Sequence, residues 1–217
     1  MLTAYITCIY TFNCYACGDE PITSFSKIFP ADKNVKLVYE STFGETASTF
    51  EKEKNSVISR NTGDKFKYIQ ELKINEQGVF VLQTYQYIKL FLFITKEKTF
   101  TYNKPLLRLP FPVKEGNSWE WKGVEFSDGD SCNVTVNGIV LGKEQITTPS
   151  GNFDAYKVET VISSSSGSNN TVTEWYAENV GLVKARIKID GGGLMGIVSS
   201  VLGYSNIEFD LNEIVSQ

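Results

Sequence analysis

The side chains of this chain able to do chemistry are carboxylates, lysines, tyrosines and cysteines, because its 217 residues include no histidine. No Ser-His-Asp or Cys-His pair, His-ligated zinc or haem site, or imidazole pH switch can be assembled from it alone. The carboxylates Glu120, Glu125, Asp154, Glu159 and Glu174 could pair for glycosidase-like work across a cleft. Their alternation with apolar residues instead matches solvated strand faces, so no catalytic residue is assigned. Gly191-Gly192-Gly193 lacks the Gly-Lys-Ser/Thr that would follow in a phosphate loop. Asp128-Gly129-Asp130-Ser131 opens like a calcium loop but has no Glu at the twelfth position, and reads better as a hairpin turn. No metal and no cofactor is expected.

Strands must position these residues. Phe and Tyr are abundant, at 14 and 11, and Gly outnumbers Pro by 17 to 6, a composition of sheets joined by tight turns. From Val35 onward the apolar pattern has period two. Residues 181–189 place Val183, Ala185, Ile187 and Ile189 on one face and Leu182, Lys184, Arg186 and Lys188 on the other. Residues 154–162 turn Tyr156, Val158 and Ile162 inward after a Pro149-Ser150-Gly151 turn, and residues 143–148 form the strand that reaches it. Asn137-Gly138 signals a hairpin, or a bulge within one longer strand. Residues 79–94 read as a long or bent strand with Leu90 to Ile94 covered on both sides. Ser163 to Asn170 is a hairpin tip with nothing to bury, and Tyr204 to Ile214 a last strand. Leu194, Ile197, Val198 and Val201 recur at helical spacing after the glycines, predicting a short apolar helix near 194–202 that serves as a lid.

Residues 1–17 carry no charge and suit the apolar core of a secretory signal, although no Lys or Arg precedes Lys27. Within them Ala16-Cys17 resembles a lipobox, making Cys17 a candidate lipidation site; a plain cleaved signal or a hydrophobic first strand are the alternatives. Only Cys132 lies in the body of the chain, too few for a disulfide framework, and it reads as a small buried hydrophobe.

The expected fold is all-β, a single antiparallel β barrel or half-barrel over residues 18–217. Phe29-Pro30 and Phe111-Pro112, with Leu37 and Tyr39 falling on Trp119 and Trp121 at an offset of 82, suggest two similar halves, 29–104 and 105–217. Trp119, Trp121 and Trp175 read as core aromatics; with Tyr156, Leu90 and Leu92 they are also the candidate lining of an apolar ligand cavity.

Three strings, Phe-Pro-Val-Lys-Glu-Gly-Asn-Ser-Trp-Glu-Trp from 111, Thr-Pro-Ser-Gly-Asn-Phe-Asp-Ala-Tyr-Lys-Val-Glu from 148 and Glu-Trp-Tyr-Ala-Glu-Asn-Val-Gly-Leu-Val-Lys from 174, resemble an uncharacterised family of bacterial envelope lipoproteins. Glu178-Asn179 stands where that family usually has Pro-Gly, and Asn179 can take the left-handed conformation the turn needs. The resemblance implies an antiparallel β protein, lipid-anchored and facing the periplasm or outer surface, with no catalytic residue to transfer. The function expected is that of a non-enzymatic envelope lipoprotein binding a lipid or other apolar molecule, or alternatively an assembly protein that binds an envelope component through its loops. The net charge of −4 without a basic block gives nucleic acid no footprint.

Overall fold

A computed structural model describes residues 27–30, 34–91, 94–191 and 205–216. Twelve strands follow one another: β1 (Val35–Ser41), β2 (Gly44–Lys52), β3 (Val57–Gly63), β4 (Phe66–Asn75), β5 (Gly78–Phe91), β6 (Ile94–Pro110), β7 (Ser118–Ser127), β8 (Asp130–Thr148), β9 (Gly151–Ser164), β10 (Asn169–Ala177), β11 (Gly181–Lys188) and β12 (Asn206–Ser216). Each pairs antiparallel with its chain neighbours, and β1 pairs with β12 from Val35↔Ser216 to Ser41↔Phe209, so the sheet closes into an up-and-down barrel. Closure gives every strand a partner on both sides over at least part of its length, so the sheet has no fully open edge strand. The segment expected as the lid helix, with Leu194, Ile197, Val198 and Val201, lies outside the described residues, as do Cys17 and the signal segment.

Local chemistry accounts for the turns. Asp128 (φ 53°) and Gly129 (φ 86°) make a two-residue hairpin in the left-handed region, the turn expected there. Pro149-Ser150 joins Thr148 to Gly151, and Asn179 (φ 63°) adopts the left-handed conformation in the β10–β11 turn. Asn137-Gly138, in contrast, makes no hairpin: both residues continue β8, with Gly138 opposite Trp119. A Cβ on Gly138 would stand 2.2 Å from the Trp119 ring, so this glycine makes room for an indole. The irregularity of β8 comes later, between Val140 and Gly142. Ile94 is 50% exposed and so departs from the expected two-sided cover.

Phe-Pro segments close one end of the barrel. Ile28, Phe29 and Val113 are buried with Phe111 against Val57, Leu72, Val79, Leu109 and Tyr176. The backbone N–H of Asn179 donates to the Lys27 carbonyl at 2.6 Å, tying the first segment to the β10–β11 turn. This is the lower end, where β1 begins. Phe43, Phe66, Ile88, Ile189, Ile207 and Phe209 pack near the upper end and down the β12–β1 wall. Phe43 and Phe66 stack with their ring centroids 4.9 Å apart.

The wall has one weak seam. β6 and β7 share only the pairs Thr101↔Phe126 and Tyr102↔Glu125. Below them β6 bulges, and side chains stitch the gap: the Trp121 indole N–H donates to the Pro105 carbonyl at 3.0 Å, and the Asn103 side-chain oxygen accepts from the Val124 N–H at 2.9 Å. Trp121 lies along its own strand over Gly123, where a Cβ would come within 2.4 Å of the ring.

Candidate functional site

Strand alternation carries a polar belt into the middle of the barrel. Phe66, Tyr68, Gln70 and Leu72 have one parity on β4 and face inward, so a glutamine stands where the pattern would place an apolar residue. Arg108 of β6 reaches it: one guanidinium nitrogen donates to the Gln70 side-chain oxygen at 2.5 Å, and the other to a Glu174 oxygen at 2.8 Å and to the Tyr176 hydroxyl at 3.2 Å. The Arg108 and Glu174 side chains are 18% and 13% exposed. The guanidinium lies 5.5 Å from the Phe29 ring centroid, so the lower plug forms the floor under this ion pair. Burial by itself would lower the pKa of Arg108. The fields of Tyr176, Glu174 and Tyr68, with the Glu174 hydrogen bond, outweigh it and hold the pKa above the usual arginine value.

Above the floor, hydroxyls continue the belt. The Gln70 side-chain amide donates to the Tyr68 hydroxyl at 2.9 Å and to the Thr84 hydroxyl at 3.4 Å. Tyr102 is opposite Glu125, which is opposite Cys132, and the Cys132 thiol donates to Glu125 at 3.8 Å. Burial pushes the Glu125 carboxyl above the usual carboxylate range, partly offset by the Cys132 hydrogen bond and by Lys98. Burial, and then Glu125, push the Cys132 thiol up, which leaves it a poor nucleophile. Tyr39, Tyr68, Tyr102 and Tyr176 are all raised above the usual phenol value, chiefly by burial.

In the upper half the inward residues Asn61, Tyr68, Gln86, Tyr102, Glu125 and Cys132 stay partly exposed, as do Ile162, Val172 and Ile187 across the barrel. The inward side chains of the upper half that keep some exposure thus divide into a polar group on β3 to β8 and an apolar group on β9 to β11, above the Arg108–Glu174 pair. Two buried oxygens on the polar side, Thr46 Oγ1 and Asn61 Oδ1, have no hydrogen-bond partner. Such groups are costly unless water or a ligand meets them.

Of the six proposed lining residues, the five that are described do not gather in one place. Trp119 and Trp121 share the inner face, but Trp119 packs into the lower cluster with Tyr156, while Trp121 packs with Val134 and Val136. Trp175 points to the other side of its strand from Glu174 and Tyr176: its indole N–H donates to Glu144 at 2.6 Å, and Lys157 and Arg186 lie over its ring. Leu90 is buried with Ile88 and Phe66 toward the upper end, and Leu92 is outside the described residues. Of the five carboxylates considered for catalysis, Glu125 and Glu174 face the lumen, Glu120 and Glu159 alternate onto the outer face, and Asp154 is exposed near the start of β9. Glu174 thus departs from the solvated-face expectation, because Arg108 neutralises it inside. A surface hollow of about 330 Å³ beside Glu40, Glu208 and Asp210 has its Glu208 and Asp210 already paired with Arg186 and Lys184. No His/Cys/Asp/Glu group among the described residues could hold a metal ion.

Fold and lumen together define a class: a closed twelve-stranded antiparallel barrel, plugged at one end, with a polar belt inside. Within it, residues 128–196, from the β7–β8 turn through β11, match the sequence profile of the DUF3108-like family and overlap the second and third of the strings above. Among solved structures, the chain is 15% identical to a proposed lipoprotein from Parabacteroides distasonis, covering 90% of this chain and 100% of that one with a TM-score of 0.43. It is 11% identical to a proposed exported protein with a YmcC-like fold from Bacteroides fragilis, covering 88% and 99% with a TM-score of 0.45. It is also 11% identical to the hypothetical lipoprotein YmcC of Escherichia coli, covering 83% and 84% with a TM-score of 0.40. No curated protein matches the chain.

Proposed function

We propose that this protein is a non-enzymatic lipoprotein of the cell envelope, exported by its first segment, anchored through Cys17, and holding part of an amphipathic molecule in the upper lumen. The observation that carries the ligand reading is this two-sided set of partly exposed inward side chains, which would wall a cup in the upper lumen. One wall presents Asn61, Tyr68, Gln86, Tyr102 and Glu125, the other Ile162, Val172 and Ile187, and all remain partly exposed. A wholly apolar tail would leave the polar wall without partners, whereas a lipid with a hydroxylated or amide-bearing head satisfies both walls. Chemistry on the ligand finds little support in the cup. Glu174 is held by Arg108, and Glu125 stands with a thiol rather than with a second free carboxylate.

Native mass spectrometry of protein purified from its own membrane fraction tests both halves of the reading. A diacylglycerol adduct on Cys17 is expected, together with a co-purifying lipid that is lost in a Tyr102→Ala/Glu125→Ala variant. An unmodified Cys17 would end the anchor reading. A ligand-free barrel, or lipid retained by the double variant, would end the carrier reading.

A further inference from the structure

We propose that the unpaired edge of β6, residues Ile94 to Phe100, is a docking site for an extended segment of a partner protein in which carboxylates alternate with apolar side chains. Above Thr101 the β6–β7 ladder stops, because β7 turns at Ser127 while β6 runs on. From Ile94 to Phe100 the strand pairs with β5 on one side only, and no backbone hydrogen bond among the described residues occupies its other edge. Such an edge supplies a row of main-chain donors and acceptors for an added strand. Where the ladder ends, a hollow of about 280 Å³ opens between Thr99, Thr101, Phe126, Ser127, Asp128 and Asp130. Phe126 is 44% exposed there, and the Ser127 hydroxyl is buried without a hydrogen-bond partner. An apolar side chain on an incoming strand would cover the ring.

Charge selects the occupant. Lys96 and Lys98 share one face of the edge, opposite Ile88 and Gln86 of β5, while Glu97 on the other face accepts from the Tyr85 hydroxyl at 2.7 Å. Lys98 lies 3.6 Å from Asp128 beside the hollow and can share its charge with an incoming carboxylate. A second copy of this chain pairing edge to edge would bring these lysines against each other, a like-charge arrangement that disfavours strand pairing. An acidic strand removes that repulsion and fits the period-two alternation between the lysine face and the Tyr85–Phe126 face.

The test uses fluorescein-labelled acetyl-Val-Glu-Val-Glu-Val-Glu-Val-amide, read by anisotropy against the full chain. Saturable binding is expected, with amide protection on exchange confined to residues 94–101. The peptide N-methylated at alternate residues should not bind. K96E/K98E, shown folded by circular dichroism, should weaken the acidic probe about tenfold or more and bind the Val-Lys counterpart instead. Four results would overturn the proposal: no binding of the acidic probe at millimolar concentration, equal binding of both probes by the unsubstituted chain, binding of the N-methylated peptide, or a stable dimer that blocks the probe.

Discussion

Inside this barrel a residue matters through what it leaves unpaired. Replacing Glu174 with Ala strands the Arg108 guanidinium among Phe29, Tyr176 and Gln70, and a buried charge without its partner costs on the order of 3 kcal/mol. The expected urea midpoint drop should be largely recovered in R108M/E174M, which removes both charges and keeps the volume. A double variant no more stable than Glu174→Ala would show that the pair stabilises the fold beyond mutual neutralisation. Glu125 makes a different prediction. Burial raises its carboxyl above the ordinary value of 4.5, so the folded state holds that proton more tightly than the unfolded chain. The contribution is complete below the unfolded pKa and is lost as pH rises through the raised, folded one, the reverse of a salt-bridged carboxylate. Glu125→Gln should therefore gain on the unsubstituted protein as pH climbs from 4 to 7 in parallel denaturation series. A stability difference independent of pH would contradict it.

At the level of strands and turns, the places where sequence reading succeeded and failed separate by cause. Asp128-Gly129, Pro149-Ser150 and Asn179 declared their turns because the backbone conformation there is decided by those residues themselves. Asn137-Gly138 carried the same local signal, yet Gly138 serves a neighbour, lying under the Trp119 ring from the adjacent strand. No local pattern encodes that. The polar belt was hidden for a related reason: Gln70, Arg108, Glu125 and Glu174 alternate with apolar residues, and a wet lumen and a wet exterior give identical period-two patterns. Parity with Phe66 and Leu72 is the signal that could have exposed Gln70. Two strand-scale predictions follow from the indole sockets. Gly138→Ala places a methyl 2.2 Å from the Trp119 ring and should cost about 1 to 3 kcal/mol in chemical denaturation, with a blue- or red-shifted tryptophan emission. Trp121→Phe keeps the aromatic packing but loses the bond to Pro105 across the β6–β7 seam, a loss of about 1 kcal/mol. Hydrogen exchange should then quicken in residues 118–124 ahead of the other strands. Uniform quickening around the barrel would mean that the seam is no weaker than its neighbours.

For the molecule as a whole, the lower plug relates the barrel to any surface that holds Cys17. Ten residue steps, with nine residues between, run from Cys17 to Lys27, whose carbonyl is bonded to the β10–β11 turn. Fully extended, that tether spans at most about 36 Å. The barrel is on the order of 25 Å tall, from the usual rise and tilt of strands near ten residues long. At full stretch the tether exceeds the barrel's height, but short of that a lipid-anchored chain should hold its plugged end, with the Pro149-Ser150 turn, nearer the bilayer, and its upper lumen, the free β6 edge and the 165–168 hairpin tip farther away. A ligand or partner would then approach from the side facing away from the anchoring membrane. The prediction can be read from two single-cysteine labels, Ser150→Cys at the lower turn and Ser166→Cys at the upper tip, in lipidated protein lacking Cys132 and reconstituted into vesicles. A lipid-borne quencher should dim the fluorophore at 150 more than the one at 166. Equal quenching would mean that the tether lets the barrel tumble freely. The reverse order would place the cup against the membrane, making direct exchange of lipid with the bilayer the simpler route into the lumen.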